Sequence, residues 1–424
     1  MHGHRVGGVH RVPGDKSITH RALMIAAISP GRSSISGALT ALDARSTASV
    51  LRQLGAGISP LRTESRVTVT GRRVLGAPDS VLHCGNSGTT ARLMLGILAA
   101  HGFEARLTGD SSLRRRPMGR VASPLVAMGA NILLGSVGGL PITIRGGALG
   151  SIDWALPVAS AQVKSAILLA AALAGVNARI NEPGDSRDHT ERMLTAFGFE
   201  VDRVGHAITF RPTGRFTPFE IDVPGDPSSA IFMVGAALLA TGGDAEITDV
   251  GLNPTRIGAI AVLQRMGARI EVAATGNQAG EPVGRLVVTP SQLAATTVPA
   301  HEVPGLIDEI PMLACLAARA VGTTRFCGVG ELRVKESDRL LLIAANLTAI
   351  GGNATIEGDD LVVEGSDRPC AGTVRTDGDH RIAMAFMVLA TEPRNRIVVD
   401  NPGSAAVSFP GFPAALAALF QERT

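Results

Sequence analysis

A phrase of eight residues returns along this chain about every 70 positions, and it constrains the fold more than any other feature. It reads Leu, two variable residues, an apolar residue, Gly, two variable residues, apolar. Clear copies run Leu51–Ile58, Leu125–Ile132, Leu194–Val201 and Leu263–Ile270, with a looser one at Leu347–Ile356. Their glycines, Gly55, Gly129, Gly198, Gly267 and Gly351, are 74, 69, 69 and 84 residues apart. A Gly at this place fits the left-handed residue that closes a helix, which other residues enter only at a cost. Strands are expected just beyond, at Val67–Thr70, Ile208–Arg211, Leu286–Thr289 and Leu361–Glu364. A second phrase keeps the same period: a small or charged polar cluster, then a long apolar helix. Its six copies start near Ser17, Ser87, Ser160, Ser228, Asp308 and His380. They run into Ala22–Ala27, Ala91–Ala100, Ala166–Ala174, Ala230–Ala240, Met312–Ala320 and Ala383–Ala390. Helices apolar nearly all round belong in a core. Six such units account for almost all of the 424 residues, and the break near Val223–Asp226 divides them three and three.

The composition fits buried α/β units and excludes several other classes. Hydrophobic residues make up 45% and charged residues 18%, which is globular. With no Tyr and one Trp, the cores must be aliphatic. The longest apolar runs, Ala166–Ala174 and Ala230–Ala240, fall short of the roughly 20 residues of a membrane span. Met1–Val12 has no apolar stretch of the signal-peptide kind, so a soluble, cytoplasmic enzyme is expected. The four cysteines (Cys84, Cys315, Cys327, Cys370) form no C-x-x-C pair and read as reduced thiols. No H-e-x-x-h type zinc spacing occurs, so no metal site is expected. A net charge of +3 without a basic stripe or stacking aromatics argues against nucleic acid.

The basic residues are skewed. Of 40 Lys and Arg, only Lys16, Lys164 and Lys335 are Lys. Where Arg serves almost everywhere, a surviving Lys is a candidate for work that needs a compact ammonium. All three fall in polar motifs. Pro13-Gly-Asp-Lys-Ser-Ile-Thr-His-Arg21 puts Ser17 and Arg21 on one helical face. Gly85-Asn-Ser-Gly-Thr-Thr90 is a small-residue turn whose backbone admits a ligand at Gly88. Arg114-Arg-Arg116, Ser160-Ala-Gln-Val-Lys164 and Asp185-Ser-Arg-Asp-His-Thr190 follow. Asp308-Glu-Ile-Pro311, Arg333-Val-Lys-Glu-Ser-Asp-Arg339 and Asp377-Gly-Asp-His-Arg381 complete the set, with Lys335 and Arg339 expected one helical turn apart. Six helix N-termini with polar clusters are expected to offer free N–H groups to anions. Many cations and a few carboxylates suit small, multiply negative substrates: Arg grips anions in pairs of bonds, and a carboxylate among them serves as general acid or base. No G-x-S-x-G elbow or Cys–His pair points to a covalent nucleophile.

In this order and spacing, Pro13-Gly-Asp-Lys-Ser, His20-Arg, Gly85-Asn-Ser-Gly-Thr, Arg116-Pro, Ser160-Ala-Gln, Asp308-Glu, Arg333-Val-Lys-Glu-Ser-Asp-Arg and Asp379-His-Arg resemble the EPSP synthase family. These are 3-phosphoshikimate 1-carboxyvinyltransferases of the shikimate pathway, which feeds chorismate and aromatic amino acid biosynthesis. The resemblance implies an α/β fold of two similar domains, each of three βαβαββ units in an inside-out α/β barrel. The first would span 14–225 and the second 1–13 plus 226–424, with the substrate cleft between them. It implies attack of the 5-hydroxyl of shikimate 3-phosphate on C2 of phosphoenolpyruvate, protonation of C3 and loss of phosphate, with no metal and no organic cofactor. Lys16, Ser17, Arg21, Ser160, Ala161, Gln162, Arg187, Asp308 and Lys335 would hold shikimate 3-phosphate. Lys16, Asn86, Gly88, Arg116, Gln162, Arg339, His380 and Arg381 would hold phosphoenolpyruvate. Asp308 would take the hydroxyl proton, and Glu336, helped by Lys16, would deliver one to C3. A monomer is expected.

One branch of the family carries a Lys before a Phe-Pro near the C-terminus, two serines before the Gln, and a substrate-contacting Tyr. This chain has Val407-Ser-Phe-Pro410, Ser160-Ala161 and no Tyr. Its pattern resembles another bacterial branch, in which Arg187 and Lys164 would replace the missing contacts. Gly88, where a larger residue would crowd phosphoenolpyruvate, implies inhibition by the phosphoenolpyruvate mimic glyphosate. The alternatives are the sister transferase acting on UDP-N-acetylglucosamine, whose loop usually carries a reactive Cys, and a non-catalytic, ligand-binding descendant. The loop Arg114–Arg116 has no Cys, and Lys16, Asp308 and Glu336 are all present.

Overall fold

In a computed structural model, which describes residues 5–62, 66–136 and 138–420, the chain divides into two compact units. One comprises Gly14–Val223 with Asn277–Glu281, and the other Met1–Pro13, Pro224–Gly276 and Pro282–Thr424.

Within each unit one sheet pattern recurs: a parallel pair, then strands added antiparallel. In the Gly14–Val223 unit the first sheet runs Glu220–Asp222, Gly31–Ser36, Val67–Gly71, Gly57–Ile58. The second runs Leu82–His83, Glu104–Thr108, Ile142–Arg145, Asn131–Leu133. The third runs Ile152–Ala155, Ala178–Asn181, Ala207–Arg211, Glu200–Val204. In the other unit, Val9–Arg11 pairs parallel with Ala245–Gly251, followed by Glu281–Thr289 and Arg269–Gln278. The next sheet orders Thr297–Val298, Thr323–Phe326, Asp360–Glu364, Asn353–Glu357. The last is cut down to the parallel pair Ala371–Val374 and Arg396–Val399.

The local chemistry accounts for this regularity. Val67 and Val69 point into the core while Thr68 and Thr70 do not, the two-residue period of a half-buried strand. Gly55, Gly129, Gly198, Gly267 and Gly351 all have positive φ, as the repeat required. Beneath the sheets of one unit lie the helices Lys16–Ile28, Gly88–Ala99 and Ala161–Ala174, and beneath those of the other Pro227–Leu238, Ile310–Ala317 and His380–Leu389. Their apolar residues are buried on every side, so each unit has helices inside and sheets outside, as expected. Packing is close: a Cβ added to Gly96 would lie 2.2 Å from the carbonyl oxygen of Ala166 on the neighbouring helix. Only Gly allows these two backbones to meet. Among the described residues no helix is long and apolar enough to cross a membrane.

Candidate active site

The Gly14–Val223 unit gathers its cations at the starts of its three inner helices. Asp15 opens the first by accepting the N–H of Ile18 at 2.8 Å. Lys16 and Ser17 fall in the first turn, and Arg21 one turn on, where it donates to the Ser17 carbonyl at 2.9 Å. Lys16 Nζ lies 3.2 Å from Asp43 Oδ2. Arg21 is buried, and its guanidinium also donates to Thr190 Oγ1 and Ser165 Oγ, each at 2.7 Å. Burial lowers Arg21 to about 10; Glu191 and Asp15 oppose this, and the positive charge of Arg187 adds to it. Arg187 is thus close enough for its charge to be felt at Arg21.

Next to these lies a second cluster. Ser87 caps the helix Gly88–Ala99. Asn86 donates to Asp110 Oδ2 at 2.6 Å and accepts from Arg116. Arg116 is buried at the end of the short helix Ser111–Arg115, while Arg114 and Arg115 are exposed. The three adjacent arginines therefore split, because the helix ends at Arg115 and the backbone turns extended at Arg116. A Cβ on Gly88 would lie 2.8 Å from Arg92 Nη1 and 3.2 Å from Arg116 Nη1. Arg92 donates to Gln162 Oε1 at 2.7 Å, and Gln162 donates to Thr89 Oγ1 at 3.0 Å. Ser160 caps the helix that presents Ala161 and Gln162. The structure thus brings Asn86, Gly88, Arg116 and Gln162 together around Arg92. Arg92 is absent from the sequence-based set, although an Arg one turn after Gly88 inside the apolar run Ala91–Leu98 was a readable signal.

Lys164 is a correction. The substitute-contact reading requires it to reach a substrate, but its side chain is fully buried. Its ammonium lies 2.9 Å from Glu182 Oε2, 2.7 Å from Glu191 Oε1 and 3.3 Å from the Ser186 carbonyl. Fully buried, this lysine acts on its neighbours in the fold.

The other unit centres on Asp308. Its Oδ1 lies 3.4 Å from Lys335 Nζ and 3.3 Å from Arg339 Nη1, and its Oδ2 is 4.0 Å from Arg381 Nη2. Arg381 also donates to the Asp308 carbonyl at 2.9 Å and stands 3.6 Å from Glu309. Arg339 is enclosed by carboxylates: Nε donates to Asp379 Oδ2 at 2.8 Å, and Nη2 to Glu336. Burial works against the charge on Arg339, but Asp379, Glu336 and Asp308 more than offset it and hold the guanidinium above its ordinary range. Burial would raise Asp379, and Arg339 draws it below the usual carboxylate range instead. Asp379 Oδ1 caps the helix His380–Leu389, on whose first turn His380 and Arg381 are both buried. Neither Asp379 nor Glu309 was in the sequence-based set.

Two expectations need correction here. Lys335 and Arg339 do not share a helix. Lys335 and Glu336 lie between the turn Gly330–Val334 and the helix Arg339–Ala349, because Asp338 caps that helix by accepting the N–H of Leu341 at 3.0 Å. Nor are all six helix ends fully open to anions as expected: only Ile310–Ala317 starts without a side-chain cap. Asp15, Ser87, Ser160, Asp226 and Asp379 each turn back and accept a first-turn N–H. Among the described residues no group of three or more His, Cys, Asp or Glu is placed to hold a metal ion.

Comparison with known proteins supplies the remaining observation. The family model for EPSP synthase (3-phosphoshikimate 1-carboxyvinyltransferase) matches residues 2–416. The chain belongs to the EPSP synthase family. The 3-phosphoshikimate 1-carboxyvinyltransferase of Alkalilimnicola ehrlichii is 46% identical over 413 residues, covering 97% of this chain and 92% of that protein. That of Acidiphilium cryptum is 46% identical over 415 residues, covering 96% and 92%. The EPSP synthase structure from Acinetobacter baumannii matches with a TM-score of 0.87 at 39% identity, over 99% of this chain and 97% of that one. An enolpyruvyl transferase of Streptomyces tendae, at 18% identity and a TM-score of 0.78, shows the fold alone. The full-length match to EPSP synthases, with no cysteine in Arg114–Arg116, sets aside the UDP-N-acetylglucosamine alternative.

Proposed function

We propose the residues through which this member of the EPSP synthase family moves the enolpyruvyl group of phosphoenolpyruvate to the 5-hydroxyl of shikimate 3-phosphate. The two substrates bring two phosphates and two carboxylates, and the assignment follows charge. Lys16, Ser17, Arg21, Ser160, Ala161, Gln162 and Arg187 hold shikimate 3-phosphate, with Asp308 and Lys335 at its hydroxyl side. The repulsion between Arg21 and Arg187 is relieved when the phosphate settles against them. Lys16, Asn86, Gly88, Arg116, Gln162, Arg339, His380 and Arg381 hold phosphoenolpyruvate. Arg92 joins them as the residue that aligns Gln162.

Asp308 takes the hydroxyl proton as the oxygen attacks C2. The observation that carries this role is its setting: Lys335 and Arg339 converge on one carboxylate oxygen and fix its orientation. Glu336 delivers a proton to C3, with Lys16 assisting. Expulsion of phosphate from C2, with loss of a C3 proton, then restores the C2–C3 double bond and gives the enol ether. Arg339 and Arg381 face developing and departing negative charge, the place where fixed cations lower a barrier most. A monomer in the cytoplasm is part of the same proposal. Phosphate release from phosphoenolpyruvate in metal-free buffer tests the reaction and its independence of metal. Release that requires shikimate 3-phosphate and survives a chelator supports the assignment. Absence of release at any shikimate 3-phosphate concentration defeats it, and the binding-only alternative would follow.

A further inference from the structure

Lys164 is the one lysine of the three that no substrate can reach, and its surroundings explain why it is a lysine. An ammonium has three N–H donors. Around Lys164 Nζ stand three oxygens: Glu182 Oε2 at 2.9 Å, Glu191 Oε1 at 2.7 Å and the Ser186 carbonyl at 3.3 Å. A planar, five-donor guanidinium would overfill this space and leave donors unmet. Glu182 extends the cluster by accepting from Ser186 Oγ at 2.5 Å. The four residues come from different pieces of chain. Lys164 lies in the first turn of Ala161–Ala174, Glu182 just after the strand Ala178–Asn181, Ser186 in the loop beyond it, and Glu191 in the helix His189–Ala196. Two of these pieces border residues assigned to shikimate 3-phosphate. Lys164 sits two residues after Gln162, and Ser186 directly precedes Arg187. A second tie runs alongside: Ser165 Oγ accepts from Arg21 and from Thr190 Oγ1, each at 2.7 Å.

We infer that the buried Lys164–Glu182–Glu191 cluster is a positioning device that sets the spacing of Ser160–Gln162 and Arg187, and through it the affinity for shikimate 3-phosphate. The inference rests on the assignment of those residues given above. It places Lys164 as a positioning residue, with no contact to either substrate. Burial pushes the Glu191 carboxyl up against the pull of Lys164, so Glu191→Gln is the mild change. Lys164→Met is the severe one, because it strands two buried carboxylates.

The experiment compares wild type, Glu191→Gln and Lys164→Met/Glu191→Gln, the last of which keeps the net charge of the cluster. Folding is checked by circular dichroism and thermal melting, and KM for each substrate and kcat are then measured. The expected result is a rise of about tenfold in KM for shikimate 3-phosphate in the double variant and about threefold in Glu191→Gln, with kcat and KM for phosphoenolpyruvate within about twofold. Unchanged kinetics in folded Glu191→Gln would overturn the inference even if the double variant does not fold. So would a joint shift of both KM values and kcat, which marks general loosening. Wild type that releases no phosphate with both substrates would overturn the functional assignment instead.

Discussion

Arg339 Nε donates to Asp379 Oδ2 at 2.8 Å, and both side chains are sealed from solvent, so a cation of the candidate site hangs on a buried carboxylate that also starts a helix. Asp379 additionally accepts from Ser337 Oγ at 3.0 Å. Asp379→Asn removes the charge that Arg339 needs while an amide oxygen can still cap the helix. A stability loss of about 3 kcal/mol is expected, read as a lower urea midpoint, together with a raised KM for phosphoenolpyruvate. An unshifted midpoint would mean Arg339 finds enough compensation in Glu336 and Asp308.

Asp308→Asn preserves shape and removes the proton acceptor. The expected outcome is a fall in kcat of about 10²–10⁴-fold with a cooperative melt like wild type. A smaller fall, below about tenfold in steady-state assays, would move the base elsewhere.

A Cβ on Gly88 would press against the tips of Arg92 and Arg116. In Gly88→Ala one or both guanidiniums must shift. KM for phosphoenolpyruvate should rise several-fold while that for shikimate 3-phosphate holds, and inhibition by glyphosate, expected of the wild type, should weaken. Equal effects on both substrates would show that Gly88 does not border one of them alone.

His20 gives a pH dependence of stability. It is fully buried, with Nδ1 2.6 Å from Thr47 Oγ1, and burial, followed by the charges of Lys16 and Arg21, lowers it from 6.5 to about 3. The unfolded chain takes up this proton as pH falls through 6.5 and the folded chain does not until about 3. The contribution is therefore intact above 6.5 and drains away between these two values, at about 1.4 kcal/mol per pH unit. Urea midpoints measured from pH 7 to pH 4 should decline, and His20→Gln should flatten the slope. A slope unchanged by that variant would assign the acid sensitivity to other groups.

Thiol titration reports the cores. Cys84, Cys315 and Cys370 are buried, with Cys84 pushed up to about 12 by burial, while Cys327 is partly exposed. An aromatic disulfide reagent should modify only Cys327 in the native protein and all four in denaturant. Fast reaction of a second thiol would reveal local opening.

The repeat made the fold readable because each copy ties a Gly to a backbone conformation and an apolar run to burial, both local requirements. The six inner helices and the strands after each Gly follow directly from it. Spacing was less informative where a cap intervened: Lys335 and Arg339 are four apart, yet Asp338 starts the helix between them. The motifs brought most of the candidate residues into view but left out Arg92, and they held Asp379 and Glu309 without giving either a role. Arg92, Asp379 and Glu309 stand out only once Gln162, Arg339 and Arg381 are seen against them. Lys164 shows the converse. Its rarity signalled a special task, and only its burial distinguished internal support from substrate contact.

The strand Val9–Arg11 pairs with Ala245–Gly251, far downstream, while the chain between them builds most of the other unit. On the ribosome this sets an order of events. The Gly14–Val223 segment can collapse around its three inner helices as soon as it emerges. The strand Val9–Arg11 must wait, unpaired, for its partner to be synthesised. A stall or truncation before Ala245 would thus leave one nearly finished unit with an open strand trailing from its front.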